Sequence, residues 1–270
     1  MKSLVKKLIP YSIVNAFREV KQSLESLYFI GNKYECPFCK GHFRKFLPGG
    51  ENLLFFKNKM IIGGGLRSNM LCPRCHSTDR DRLIHYYLKT NELISNHRYT
   101  LLHVAPEPVL RKYLKKKANL TYISGDKFER GYNGFYYNPD TISLDLTSLP
   151  FPDKCFDVII CNHVLEHIID EAKALQEVHR VLKPKGWAIL QVPIDSELNE
   201  TLENKLFSDE ERTLYYGQQD HVRLYGLDYP ARLETHKFKV TKWGLENQPD
   251  PKKINRLALN ILETIYIASK

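Results

Sequence analysis

The chain lacks any run of about eighteen apolar residues, so no segment of it can cross a bilayer as a helix. No small-residue cleavage site follows its basic, partly apolar amino terminus, where Pro10, Asn15 and Arg18 interrupt the apolar pattern. The terminus therefore reads as retained and the protein as cytoplasmic. Internal repeats and low-complexity segments are missing too, which excludes a solenoid. Acidic residues are scarce in one part only. Residues 1–90 hold 16 Lys and Arg against 6 Asp and Glu, a surplus of +10, whereas residues 91–270 hold 24 against 25, so the net +9 belongs to the amino-terminal third. Such a surplus suits nucleic acid, anionic lipid or an acidic partner, and equally a solvated face.

What is present, 270 residues of which 43% are apolar, is enough for one domain of ordinary size and a smaller module. Three segments are expected: an amphipathic helix in 1–30, a cysteine-rich module with a connecting helix in 31–90, and a larger α/β domain in 91–270. In the first, Ile13, Phe17, Val20, Leu24, Leu27 and Phe29 recur at mostly helical intervals. Docking on the neighbouring domain is the usual fate of such a helix. Peripheral membrane contact is the alternative, motivated by Lys2, Lys6 and Lys7 just upstream.

Four of the six cysteines form two equally spaced knuckles, Cys36-Pro-Phe-Cys39 and Cys72-Pro-Arg-Cys75. Two intervening residues let both sulfurs reach one ion from a tight turn, and two knuckles complete a four-sulfur shell, which predicts structural Zn2+. Paired disulfides would require export, and a redox pair needs no matching second pair. His42 and His76 stand nearby as substitute ligands. Between the knuckles, 53–56 and 60–62 read as short strands beside the flexible run Gly63-Gly64-Gly65. Arg67, Arg74, Arg80 and Arg82 cluster around the second knuckle. A structural role is their default, and a surface for an anionic substrate the functional alternative.

From residue 99 strand and helix alternate. Residues 101–105, 120–124, 142–145, 156–161 and 186–192 read as strands, with helices over 106–117 and 168–182 between them, which implies a doubly wound parallel sheet with right-handed crossovers. In such sheets ligands bind at the carboxyl ends of the strands. There the chain places Asp126, Asp145, Asn162 and His163. Asp126 follows the first strand by 21 residues, close to the spacing of about 20 at which a carboxylate meets ribose hydroxyls.

The run DLTSLPFPDKCFDVIICNHVLEHI, followed by ALQEVHRVLKPKGWAILQVP, resembles the class I S-adenosylmethionine-dependent methyltransferases of the type 11-like group. The resemblance implies a Rossmann-like seven-stranded sheet whose last two strands form a hairpin. It further implies that Asp126 binds the cofactor ribose, that Asp145 with the backbone of Leu146 holds the adenine, and that Asn162 and His163 lie beside the methionine part and the transferred methyl. One loop departs from the pattern. Where relatives carry an acidic residue and several glycines, this chain reads His103-Val104-Ala105-Pro106-Glu107-Pro108. Ala105 is the smallest substitute there, and Glu107 supplies a carboxylate for the cofactor's amino group.

The expected activity is methyl transfer, with O-methylation of a small-molecule or glycan acceptor leading. A hydroxyl acceptor needs a base. His221 is the first candidate and His163 the second, with Arg223 orienting the acceptor. Two alternatives stay open: an RNA methyltransferase that uses the basic module for RNA, and a non-catalytic zinc-dependent binding protein on a degenerate methyltransferase fold.

Overall fold

The apolar runs of the larger domain are strands whose carboxyl ends fall within two residues of the expected places, although the run expected from 186 starts four residues earlier, at Leu182. The computed structural model describes residues 11–94, 97–128 and 140–270, with side chains from residue 16 onward in the first helix. In chain order the amino-terminal third holds α1 (Tyr11–Ser26), β1 (Ile30–Glu35), β2 (His42–Phe43), β3 (Leu47–Gly49), α2 (Leu54–Lys57), β4 (Ile61–Ile62), β5 (Arg67–Leu71) and α3 (Asp79–Thr90). The remainder holds β6 (Tyr99–Val104), α4 (Pro108–Lys115), β7 (Leu120–Asp126), β8 (Thr141–Ser143), β9 (Phe156–Asn162), α5 (Glu171–Val181) and β10 (Leu182–Gln191). It closes with β11 (Ile194–Asp195), β12 (Leu202–Glu203), α6 (Asp209–Tyr216), β13 (Arg223–Leu224), α7 (Tyr229–Thr235), β14 (Lys239–Trp243), α8 (Pro251–Arg256) and β15 (Ile265–Ser269).

Seven strands form one sheet in the order β14-β15-β10-β9-β6-β7-β8. The five from β10 to β8 run parallel, and β15 inserts antiparallel between β10 and β14, so the expected terminal hairpin is present. Strand order reverses between β6 and β9. That is the switch point at which open α/β sheets leave a crevice for ligand. β9 is buried on both faces: Ile159 and Cys161 meet α5 through Leu175 and Val178 in one core, while Val158 and Ile160 meet the other.

The second core changes the reading of α3. A capping box between Thr78 and Asp81 fixes its start, and Leu83, Ile84, Tyr87 and Leu88 pack with α4 and α8 against the sheet. The helix that the sequence assigns to the cysteine-rich module therefore covers one face of the larger domain. Two further expectations are corrected. Residues 54–57 form a helical turn where a strand was expected, and the described apolar side chains of α1 do not dock; Ile13 lies outside the described side chains. Phe17 is 74% exposed and Leu24 64%, while Gln22 and Ser26 are the buried residues among the described side chains of that helix.

Candidate active site

The two cysteine knuckles fold as copies of one turn. The amide of Cys36 donates to the carbonyl of Gly41 and that of Lys40 to Cys36, and Cys72, Ser77 and His76 repeat the pattern. Lys40 and His76 occupy the matching left-handed position, with φ of 58° and 56°. The Sγ atoms of Cys36 and Cys75 lie 3.5 Å apart, those of Cys39 and Cys72 3.6 Å, and all four fall within 4.8 Å of one another. Zn–S bonds of about 2.3 Å at tetrahedral angles set sulfurs about 3.8 Å apart, whereas a disulfide needs about 2.0 Å. The donor set fits a four-sulfur metal centre, and none of the cysteines is oxidised. Ser77 adds a hydroxyl 3.3 Å from Cys36 Sγ. His42 and His76 stand outside the cluster.

The module is bound to the larger domain by polar contacts. β4 pairs with β11 just beyond the fifth parallel strand, and Lys59 reaches Asp195 at 2.7 Å. Fully buried Arg82 uses all five of its N–H donors on backbone carbonyls: Asn69, Met70 and Ser77 in the module, Leu257 and Ala258 after α8.

At the switch point, Ala105 follows β6 with φ of 46°, a left-handed backbone that glycine adopts without cost. Glu107 does not hang free. One carboxylate oxygen meets Nε2 of His103 at 2.8 Å and the other accepts from Asn162 Nδ2 at 2.9 Å, tying the altered loop to the end of β9. Burial alone would raise the Glu107 carboxyl; the hydrogen bonds to His103 and Asn162 outweigh it and hold it below its usual range. The Oδ1 of Asn162 is buried with no partner among the described residues, an acceptor open to a bound cation. Asp126 closes β7 in register with Ser143 of β8, two residues before Asp145. Hydrogen bonds from the Thr147 hydroxyl and amide, with Lys127 at 3.0 Å, hold the Asp145 carboxyl at about 2. Leu146 is buried beside it. The residues expected to hold a nucleoside thus share one sheet edge.

Beyond Asn162 the chain turns sharply through His163, whose φ is 53° and whose amide donates to Gln191. His163 opens into a cavity of about 230 Å³ roofed by the module: Gly63, Arg67 and Arg80 face His163, Glu166, His167 and His221 across it. The Nδ1 of His163 lies 3.1 Å from Glu166 Oε1, leaving its Nε2 without a partner. The Nδ1 of His167 meets Asp220 at 3.2 Å, and the rings of His167 and His221 stack edge to face at 4.7 Å. Burial pushes the Glu166 carboxyl up to about 8, and burial with His167 alongside pushes the His221 imidazole down to about 4. His163, buried near Arg80 and Arg67, is held well below its usual value.

The structure brings both expected histidines to one cavity and leaves Arg223 out of it. Arg223 is 1% exposed and donates to the carbonyls of Leu165, Ile168 and Ile169 and to Glu203, so it pins the turn after β9 instead of facing an acceptor. Glu166 and His167 were visible in the sequence only as the polar exit of β9. The module's share of the cavity, Gly63, Arg67 and Arg80, could be signalled there only by the glycine run and the arginine cluster.

Residues 90–190, which run from the end of α3 to β10, match the family described as methyltransferase domain. That part of the chain is a class I methyltransferase domain. Among curated proteins, the chain is 37% identical over 57 residues to a ubiquinone/menaquinone biosynthesis C-methyltransferase UbiE of Coxiella burnetii, covering 21% of this chain and 23% of that one. It is 46% identical over 112 residues to the uncharacterized methyltransferase YcgJ of Bacillus subtilis, covering 38% and 40%. The chain therefore spans less than half the length of these relatives. A solved SAM-dependent methyltransferase from Archaeoglobus fulgidus aligns with a TM-score of 0.45 at 14% identity, covering 70% of this chain and 94% of that one.

Proposed function

We propose that the protein is an S-adenosylmethionine-dependent methyltransferase that methylates a hydroxyl oxygen of a small-molecule or glycan acceptor bound in the cavity beneath the module. The observation that carries this reading is the adjacency of Asn162, at the cofactor edge of β9, to His163, in the acceptor cavity. Asp126 would hold the cofactor ribose, Asp145 and Leu146 the adenine, and Ala105, Glu107 and Asn162 the methionine part; the unpartnered Asn162 Oδ1 and the ionised Glu107 both suit an ammonium. When bound, the cofactor supplies a methyl on a sulfonium for in-line displacement, where positioning lowers most of the barrier. On the acceptor side, the free Nε2 of His163 takes the hydroxyl proton while Glu166 fixes the ring through Nδ1. His221, the first candidate from the sequence, lies with His167 on the same wall and is assigned as a lining residue, because burial holds its imidazole down to about 4.

At about 230 Å³ the cavity is smaller than the roughly 300–1,000 Å³ of drug-sized ligand pockets, which favours a small acceptor. Arg67 and Arg80 are engaged by Asp79 and Glu263, so the module's cavity-facing cations are not displayed for a nucleic-acid backbone. The four cysteines are assigned to zinc, and the absence of any disulfide among all six cysteines fits a reducing compartment. Calorimetry with S-adenosylmethionine, followed by methyl transfer from labelled cofactor to fractionated extract, tests the activity. The His163→Ala variant is expected to bind cofactor normally and to lose about 10²–10⁴ in turnover. Unchanged turnover would remove the base assignment, and absence of cofactor binding would remove the enzyme reading.

A further inference from the structure

Glu166, His167 and His221 offer one ligand atom each within 4.8 Å of one another. The three donors differ from the cysteine centre in kind, being two imidazoles and a carboxylate, and they come from two segments. Glu166 and His167 lie in the turn after β9, while His221 precedes β13. The two segments are joined by the amide of Val222 donating to the carbonyl of Glu166 at 2.8 Å.

Two observations independent of the cluster itself indicate a ligand. Glu166 is 1% exposed and its Oε2 has no hydrogen-bond partner; His221 is 5% exposed and its Nδ1 has none. Buried polar atoms are almost always paired, so two orphans among residues that line one cavity mark a missing group. Two other atoms of the triad are already held. Glu166 Oε1 is engaged by His163 Nδ1, and His167 Nδ1 by Asp220, the arrangement in which an outer carboxylate orients a metal-binding imidazole.

The geometry points to a second metal site, at which Glu166, His167 and His221 bind a divalent transition-metal ion with open positions toward the cavity. Two imidazoles and one carboxylate suit zinc, manganese or iron(II). Bonds of about 2.1 Å at tetrahedral angles place ligand atoms about 3.4 Å apart, a separation that the 4.8 Å limit on these donors includes. His167, its side chain 34% exposed, is the least buried member. An ion on Glu166 Oε2 leaves Oε1 to hold His163. Its open positions take acceptor oxygens, which restricts acceptors to those with a chelating pair such as a vicinal diol. That last step rests on the acceptor cavity proposed above; the ion site does not.

The test is metal content after saturation with zinc and desalting. Two equivalents are expected in the full chain, and one in Glu166→Gln and in His167→Gln. The second variant changes a partly exposed residue, and a near-native melting temperature shows that it folds. Manganese alone, followed by its electron paramagnetic resonance, should report binding to the full chain and at least tenfold weaker binding to His167→Gln. A single zinc equivalent in the full chain, or two in a folded His167→Gln, overturns the proposal. None of these readouts involves cofactor or methyl transfer, so a failed methyltransferase reading leaves them intact.

Discussion

His85 shows how one side chain couples the two halves of the molecule to pH. It sits on α3 between the rings of Phe38, from the first knuckle, and Tyr113, from α4, at centroid distances of 5.1 and 4.7 Å. Burial, with Lys40, Lys89 and Lys117 around it, pushes the imidazole down to about 4. The native state therefore holds it neutral while the unfolded chain takes a proton near 6.5, so stability falls as pH drops from about 6.5 to about 4 and levels off below. The swing is at most about 3 kcal/mol from this residue. Thermal melting of His85→Phe across that window should show a shallower acid loss than the parent. An identical pH slope would mean that other groups carry it.

Among the elements, α1 leaves a stripe of its described apolar side chains in solvent. Phe17, Val20, Leu24 and Leu27 are exposed, with Tyr28 and Ile30 continuing the stripe, and Arg18, Lys21, Arg44 and Lys45 lie in the same strongly basic third. An anionic lipid surface answers both features. Flotation with phosphatidylserine vesicles should capture the full chain and lose most of that capture when residues 1–29 are removed; equal capture would reject the lipid surface. The element scale also shows what the sequence could tell. β6, β9 and β10 were legible because strands buried on both faces are apolar throughout, and Asp126, Asp145 and Asn162 because strand ends break such runs with polar residues. The knuckles were legible from spacing alone. What escaped was long-range: that β4 would pair with β11, that α3 would cover the sheet, and that Arg223 would spend its donors on carbonyls. None of these leaves a local periodicity.

At the scale of the molecule, module and domain form one cooperative unit through Arg82. Replacing it by Met removes this donor from five carbonyls, of which that of Ser77 keeps a second donor in the Cys72 amide, and should cost about 3 kcal/mol or more, read as a lower urea midpoint. Arg82→Lys should not rescue it, because a single ammonium cannot reproduce the five-donor fork. A midpoint unchanged in Arg82→Met would show that the module docks by other means. The span of those hydrogen bonds has a consequence for biosynthesis. Two of the acceptors lie 175 and 176 residues downstream of Arg82. At about 5–20 residues per second, a growing chain waits on the order of ten seconds or longer before they exist. Through that interval the nascent module must rely on its cysteine centre to stay folded, so metal loading is expected to precede release from the ribosome.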